Sequence, residues 1–171
     1  MRSTVMRSML TVMCATLVLM AGSEGRAQQP GMEPLSAFAR SELKIETRGG
    51  VQRFHVWIAD SQPRRGQGLM FVKRLTRGKG MLFVYSDAQS VSMWMKNTLI
   101  PLDMLFIAAD GRITRIARDT QPLSLATISS LGAVTGVLEI GGGESERLGI
   151  EVGDRVLHPE FSAASRSENA R

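Results

Sequence analysis

The sequence predicts a mainly β protein, a compact antiparallel β-barrel or sandwich-like single domain with short helices. About eight short segments alternate apolar and polar residues with the two-residue period of a strand that buries one face. Glycine-containing turn signals separate several of these segments at the spacing of hairpins. No repeat period is evident, and the strand–helix alternation of a parallel doubly wound sheet is missing. Closure of a barrel, or packing of two sheets, would protect the edges of such short strands.

The most informative stretch covers residues 91–111. A strand pattern begins it, Asn97 and Thr98 interrupt that pattern, and a second strand pattern follows. Asp103 lies inside this second, otherwise apolar strand. Its carboxylate must be hydrogen-bonded or solvated, because burying it alone costs several kcal/mol. The stretch ends on Asp110-Gly111, a hairpin signal for which we expect a type I′ turn with two positive φ angles.

The rest of the chain supplies further strands and two small helices. Alternating residues predict strands over 43–47, 54–58, 80–85, 113–117, 134–140 and 152–157. Short helices are predicted after Asp60 and over 144–148, and a longer polar loop is predicted over 118–130.

The start of the chain is typical of an export signal. Arg2 and Arg7 precede a mostly apolar run, and Ala27 ends a small-residue cleavage site. We therefore expect a signal peptide over 1–27, a flexible leader over 28–41, the β domain over 42–158 and a frayed tail over 159–171. The protein would be periplasmic or secreted, with no stable membrane anchor after cleavage.

Composition argues against several classes of function. Cys14, the one cysteine, lies in the predicted signal, so the mature chain would have no disulfide, thiol nucleophile or thiolate metal ligand. The net charge of the whole sequence is +5, and part of it belongs to the signal. A domain this mildly basic gives no support for a nucleic-acid partner.

Several local sequences, taken together, resemble one family. They are Gly68-Leu69-Met70-Phe71, Gly80-Met81-Leu82-Phe83, Trp94-Met95-Lys96-Asn97-Thr98, Pro101-Leu102-Asp103 and Leu138-Glu139. This combination is similar to the domain-of-unknown-function family 192, small prokaryotic proteins that often carry a signal peptide. The resemblance covers roughly residues 43–157. It implies a small, mostly β barrel-like domain, and it implies no function, since none is established for the family.

The best candidates for a ligand site are Trp94, Asn97, Thr98 and Asp103, which fall where one strand breaks and the next begins. Two interpretations remain open. In one, these side chains converge on a ligand. In the other, Asn97 and Thr98 cap an irregular turn, and Asp103 accepts backbone amides that hold the turn in place.

Metal and cofactor chemistry has little support in the sequence. His55 has no second histidine or cysteine at a metal-binding spacing, so we expect no metal site and no cofactor. The methionines at 70, 81, 93, 95 and 104 are potential soft copper ligands, although their alternating positions favour packing in the core. Six basic residues and no acidic one lie between positions 64 and 79, which predicts a solvated surface or, less readily, an anion-binding patch.

These observations favour an exported binding or accessory module of the cell envelope. Its partner would be a small molecule, a glycan or an envelope protein, with Trp94 stacking on a sugar or peptide group. The alternative is a small hydrolase that uses Asp103 with His55 or Glu139, which requires the fold to bring two such groups together. A purely structural interaction domain is a third hypothesis, for which an exposed apolar patch or sheet edge would be the mark.

Overall fold

A computed structural model describes residues 31–162, which form seven strands and two short α-helices. The strands are β1 (Arg40–Thr47), β2 (Gly50–Ala59), β3 (Lys79–Met93), β4 (Leu102–Ile107), β5 (Ile113–Thr120), β6 (Ile128–Gly141) and β7 (Arg155–Leu157). The helices are α1 (Gln62–Gln67) and α2 (Glu144–Arg147). Single 3-10 turns cover Leu35–Ala37 and Pro159–Phe161.

All seven strands belong to one curled sheet, in the order β5-β4-β6-β3-β2-β1-β7. The two outermost strands meet at one end, where Ile113 donates a backbone hydrogen bond to Asp154 (2.9 Å) and Val156 donates one to Gly111 (2.8 Å). The two backbone segments approach so closely there that a Cβ on Gly111 would lie 2.5 Å from the Val156 carbonyl oxygen. The mainly β, barrel-like fold expected from the sequence is confirmed.

One pair of neighbouring strands is parallel, although the sequence predicts an antiparallel barrel or sandwich. Strands β2 and β3 run side by side with His55 opposite Lys79 and Ala59 opposite Phe83. A parallel pair needs a long crossover connection, because the chain must return to the same end of the sheet. Residues 60–78, which include α1, form that connection. The crossover therefore lies over one face of the sheet and helps to build the site described below.

The sheet buries both of its faces. The concave face carries one apolar cluster, which includes Leu43, Phe54, Leu105, Leu138 and Ile140. The outer face carries a second cluster, covered by the crossover and by neighbouring loops, which includes Leu69, Met81, Phe83, Met104 and Phe106. Strand β4 therefore buries all six of its residues. Alternation along a strand decides which of the two clusters a side chain enters.

The strands differ in extent from those predicted. Strand β3 is one long strand with register shifts, where the sequence suggested two strands separated by a polar segment. The loop predicted over 118–130 is shorter, since β5 continues to Thr120 and β6 begins at Ile128. The hairpin at Asp110-Gly111 forms, but its turn is not type I′, because only Gly111 of the pair has a positive φ, at 85°.

The ordered domain is longer at both ends than the predicted 42–158. Phe38 lies in the predicted leader, yet it is buried in the outer cluster, and β1 begins at Arg40. Phe161 lies in the predicted tail and is also buried, because Gly136 leaves room for its ring: a Cβ there would approach the ring to 2.6 Å. The predicted signal over 1–27 lies outside the described residues.

Within residues 31–162, no helix is both long enough and apolar enough to cross a bilayer.

Candidate functional site

Asp103 is fully buried, and its carboxylate binds three backbone amides. Oδ1 accepts hydrogen bonds from the amides of Asp119 (2.8 Å) and Gly143 (3.0 Å), and Oδ2 accepts one from Ser145 (2.8 Å). These donors belong to the end of β5 and to the turn that begins α2. Hydrogen bonds to a charged acceptor are among the strongest in proteins. Asp103 therefore joins its own strand β4 to the end of β5 and to the start of α2. This is the structural role in which Asp103 accepts backbone amides and holds the neighbouring segments in place.

Asn97 and Thr98 lie in an irregular segment that hydrogen-bonds to loops on both sides. Asn97 has a φ of 56°, and its carbonyl accepts a hydrogen bond from the amide of Phe71 (2.9 Å). Thr98 is buried, and its carbonyl accepts one from the amide of Leu123 (3.1 Å). The side chain of Asn97 contacts the sulfur of Met70, with Nδ2 at 3.8 Å from Sδ.

A pocket of about 260 Å³ opens between α1, residues 83–93 of β3 and residues 94–98. Its main lining side chains are Arg65, Met70, Tyr85, Met93, Trp94, Lys96, Thr98 and Glu139. Trp94 is half exposed, and Lys96 Nζ lies 5.3 Å from the centre of its ring. Of the four residues predicted as a ligand site, the structure brings Trp94 and Thr98 to this pocket, and Asn97 and Asp103 lie outside its lining.

Glu139 is the residue in this pocket with the most perturbed environment. Only 4% of its surface is exposed, and its register partners are the fully buried Met81 on β3 and Met104 on β4. Within the described part of the chain, no side chain or backbone group forms a hydrogen bond or ion pair with its carboxyl. Burial alone raises the pKa of Glu139 to about 8. A buried carboxyl without a partner that borders a pocket is a physical indication of a functional group.

Asp103 and Glu139 point to opposite faces of the sheet. In the pairing of β4 with β6, Asp103 lies opposite Ile140, and Met104 lies opposite Glu139. Successive side chains on a strand alternate between faces, so the two carboxyls are separated by the sheet. His55 does not join either of them, since it is exposed and lines a different groove beside Trp57. The pairing of Asp103 with Glu139 or His55 that the hydrolase hypothesis requires is therefore wrong.

Arg65 and Tyr85 form the cationic and aromatic wall of the pocket. The guanidinium Nη1 of Arg65 donates to the carbonyls of Asp60 (2.7 Å) and Val84 (2.9 Å), and its Cζ lies 5.0 Å from the centre of the Tyr85 ring. Burial raises the pKa of the Tyr85 phenol, an effect that Arg65 opposes and Glu139 reinforces. Because Arg65 forms no ion pair with a carboxylate in residues 31–162, its charge is available to a ligand.

The basic segment between residues 64 and 79 does not act as one patch. Arg64 forms ion pairs with Glu33 (3.1 Å) and Asp60 (3.3 Å), so its charge is compensated. Lys79 lies 6.0 Å from the ring centre of Trp57, away from the pocket. The remaining cations of the segment, at positions 73, 74 and 77, are exposed to solvent.

The methionines fall into two groups. Met81, Met95 and Met104 are fully buried, so the predicted packing role is confirmed for them. Met70 and Met93 are half-buried and line the pocket, where their thioethers offer apolar, adaptable surface. No group of three or more His, Cys, Asp or Glu residues within 31–162 is arranged to hold a metal ion.

In the sequence, Glu139 is a candidate only as a partner for Asp103, and no pattern predicts Arg65 or Tyr85 as lining residues. The signal for Glu139 was the same as for Asp103, an acidic residue inside an apolar strand. The crossover between β2 and β3 brings Arg65 to the pocket, and nothing local in the sequence indicates that contact.

Comparisons with known proteins agree with this fold. Residues 43–158 match the model of the family DUF192, described as "Uncharacterized ACR". A crystal structure of a putative transcription regulator from Sinorhizobium meliloti 1021 is 40% identical, with a TM-score of 0.70 over 72% of this chain and 96% of that one. A protein of unknown function from Novosphingobium aromaticivorans DSM 12444 is 32% identical, with a TM-score of 0.71 over 77% and 94% of the two chains. No curated protein matches the chain.

We expect Asp103→Asn to lower the free energy of unfolding by at least about 2 kcal/mol. The variant replaces one carboxylate oxygen with an NH2 group, which cannot accept a hydrogen bond from a backbone N–H. The hydrogen bonds to the remaining oxygen would be weaker, because that oxygen would no longer belong to a charged group. Urea denaturation measures the difference. Asp87→Asn, at an exposed carboxylate, is the matched control and should change little. Equal stability of the two variants would contradict the bracing role.

Glu139 should make the stability of the protein fall as the pH rises. Its pKa is about 8 in the folded chain and about 4.5 when exposed, so between these values the folded state holds a proton that the unfolded state has released. The free energy of unfolding then decreases with pH, by at most about 1.4 kcal/mol per pH unit. The side chain of the Glu139→Gln variant cannot ionise, so its free energy of unfolding lacks this contribution to the pH dependence.

The measurement is urea denaturation of wild type and Glu139→Gln at intervals from about pH 5 to pH 9. The difference between the two free energies should change steadily up to about pH 8 and then level off. Parallel pH profiles would show that the carboxyl has an ordinary pKa. Glu146→Gln, at an exposed glutamate on α2, controls for the loss of one surface charge.

Proposed function

The chain belongs to the DUF192 family, and we propose that it is an exported binding module of the cell envelope whose ligand occupies the pocket at Glu139. The observation that carries this proposal is the buried carboxyl of Glu139, which borders the pocket and has no partner within residues 31–162. The proposal of export is supported by the predicted signal peptide over 1–27, since such a segment directs a protein to the periplasm or out of the cell.

The position of Glu139 supports a bound partner. Its carboxyl borders the pocket, and its register partners Met81 and Met104 offer no hydrogen-bonding group. Burial therefore disfavours the charged form of the carboxyl, and the protein supplies no group within residues 31–162 that compensates. A ligand seated in the pocket can supply the hydrogen-bond partner that the protein does not.

The lining of the pocket indicates the chemistry of the ligand. With a pKa of about 8, Glu139 is mostly protonated at neutral pH, so its carboxyl donates a hydrogen bond to an oxygen acceptor. The exposed face of Trp94 suits a pyranose ring or a peptide plane, and Arg65 and Lys96 suit a carboxylate. We therefore propose an acidic sugar or a short peptide with a free carboxylate as the ligand class.

The pocket gives no support to the hydrolase alternative. Glu139 is the one carboxyl among the described residues that line it, and Asp103 is engaged by backbone amides on the opposite face of the sheet. Acid–base hydrolysis by paired carboxyls needs both groups within reach of one reacting bond. The arrangement fits recognition of a ligand better than its cleavage.

The test is a thermal-shift and calorimetric screen of the purified protein against uronic acids, neutral sugars, peptidoglycan fragments and dipeptides. A ligand at about a hundred times its Kd adds about 2.7 kcal/mol to the free energy of unfolding, which raises the melting temperature measurably. We expect binding by carboxylate-bearing compounds, weakened at least tenfold by Glu139→Leu and by Trp94→Ala. Affinity should also fall above about pH 8, where Glu139 ionises.

Leu131→Ala is the matched control for Trp94→Ala, since Leu131 is also exposed but does not line the pocket. It should bind as the wild type does. The proposal is overturned if no compound of the panel binds, or if Glu139→Leu and Trp94→Ala both retain wild-type affinity.

A further inference from the structure

We infer that three loops next to the pocket form a surface that docks the protein onto an anionic lipid membrane. The loop surface consists of residues 69–77, 94–99 and 121–125. This inference does not rest on the proposed ligand, because most of its residues lie outside the pocket lining.

Backbone hydrogen bonds join the three segments into one layer. The amide of Phe71 donates to the carbonyl of Asn97 (2.9 Å), which links the first segment to the second. The amide of Leu123 donates to Thr98 (3.1 Å), and the amide of Met95 donates to Ser124 (3.0 Å), which links the second to the third. The loop surface is therefore a continuous hydrogen-bonded structure rather than three independent loops.

This layer concentrates the exposed apolar side chains of the domain. Nine large hydrophobic residues are exposed in the described part of the chain, and five of them belong to the loop surface. These five are Phe71, Trp94, Leu99, Leu123 and Leu125, and Leu125 is 70% exposed. Single exposed apolar residues are ordinary, but a group of them on adjoining loops marks an interaction site.

Two of these residues are held in a costly backbone conformation. Phe71 has a φ of 60° and Leu123 a φ of 62°, in the left-handed region that costs a residue with a Cβ about 1–2 kcal/mol. Both are fixed there by the hydrogen bonds that join the loops. Such strain persists where the surrounding structure imposes it, and it is concentrated at functional surfaces.

The charge of the loop surface is complementary to anionic lipid. Its three segments contain four basic residues, Lys73, Arg74, Arg77 and Lys96, and no acidic residue. All four are exposed, and none forms an ion pair with a carboxylate within residues 31–162. Cations attract anionic headgroups, while leucine, phenylalanine and tryptophan side chains insert at the interface. A nucleic acid would use the cations but would gain nothing from burying the leucines.

The experiment is co-sedimentation of the protein with vesicles of phosphatidylcholine alone and of equimolar phosphatidylcholine and phosphatidylglycerol. We expect binding to the anionic vesicles that weakens as salt is added, because screening reduces the attraction of exposed charges. The double variant Leu123→Ser/Leu125→Ser should bind at least tenfold more weakly. Lys73→Gln/Arg74→Gln should reduce the affinity and its dependence on salt.

Val152→Ser is the matched control. Val152 is 59% exposed, like Leu123 at 58%. It lies in the turn that contacts the start of β5 through Gly153, whereas residues 121–125 follow the end of β5. It should leave vesicle binding unchanged. The inference is overturned if the anionic vesicles do not retain the protein, or if the leucine variant binds them as the wild type does. Tight binding to duplex DNA with none to vesicles would also overturn it and assign the cations to nucleic acid.

Discussion

The register between β4 and β6 is the constraint on which the rest of the structure depends. Because Asp103 lies opposite Ile140 and Glu139 lies opposite Met104, strand alternation sends the two carboxyls to opposite faces of one sheet. On one face, Asp103 binds backbone amides from the end of β5 and from the first turn of α2 with its N-cap, Gly143. On the other face, Glu139 lies under the crossover and borders the pocket. A shift of the register by one residue would destroy both arrangements at once.

A buried carboxyl thus has a different role at Asp103 and at Glu139. The carboxylate oxygens of Asp103 are satisfied in their buried position, because three backbone N–H groups donate to them. Glu139 has no such donors, so burial favours its neutral form and leaves its hydrogen-bonding capacity unused. The first carboxyl stabilises the fold, and the second is available to a ligand. Trp94 belongs both to the pocket and to the loop surface, so the proposed ligand and the proposed membrane contact would lie at the same end of the domain.

Much of the fold could be predicted because strand alternation and turn residues are local signals. The position of Asp103 inside an apolar strand indicates a constrained carboxylate, and Trp94, predicted as a site residue, lines a pocket in the structure. The sequence could not show which amides would reach Asp103, since these donors lie 16 or more positions away along the chain. The parallel pairing of β2 with β3 was equally hidden, and with it the arrival of Arg65 beside Tyr85. Long-range contacts of this kind depend on how the sheet curls, which no short pattern specifies.

The most direct test of this account is a side-chain carboxyl titration of Glu139 by carbon-13 NMR, with Glu139→Gln used to assign the resonance. We expect a midpoint near pH 8, because the carboxyl is buried between methionines and has no partner within residues 31–162. We also expect a bound ligand to change the midpoint, since the proposed ligand contacts this group. A midpoint near 4.5, the value of an exposed glutamate, would contradict the account, because it would mean that water or another group already stabilises the charge.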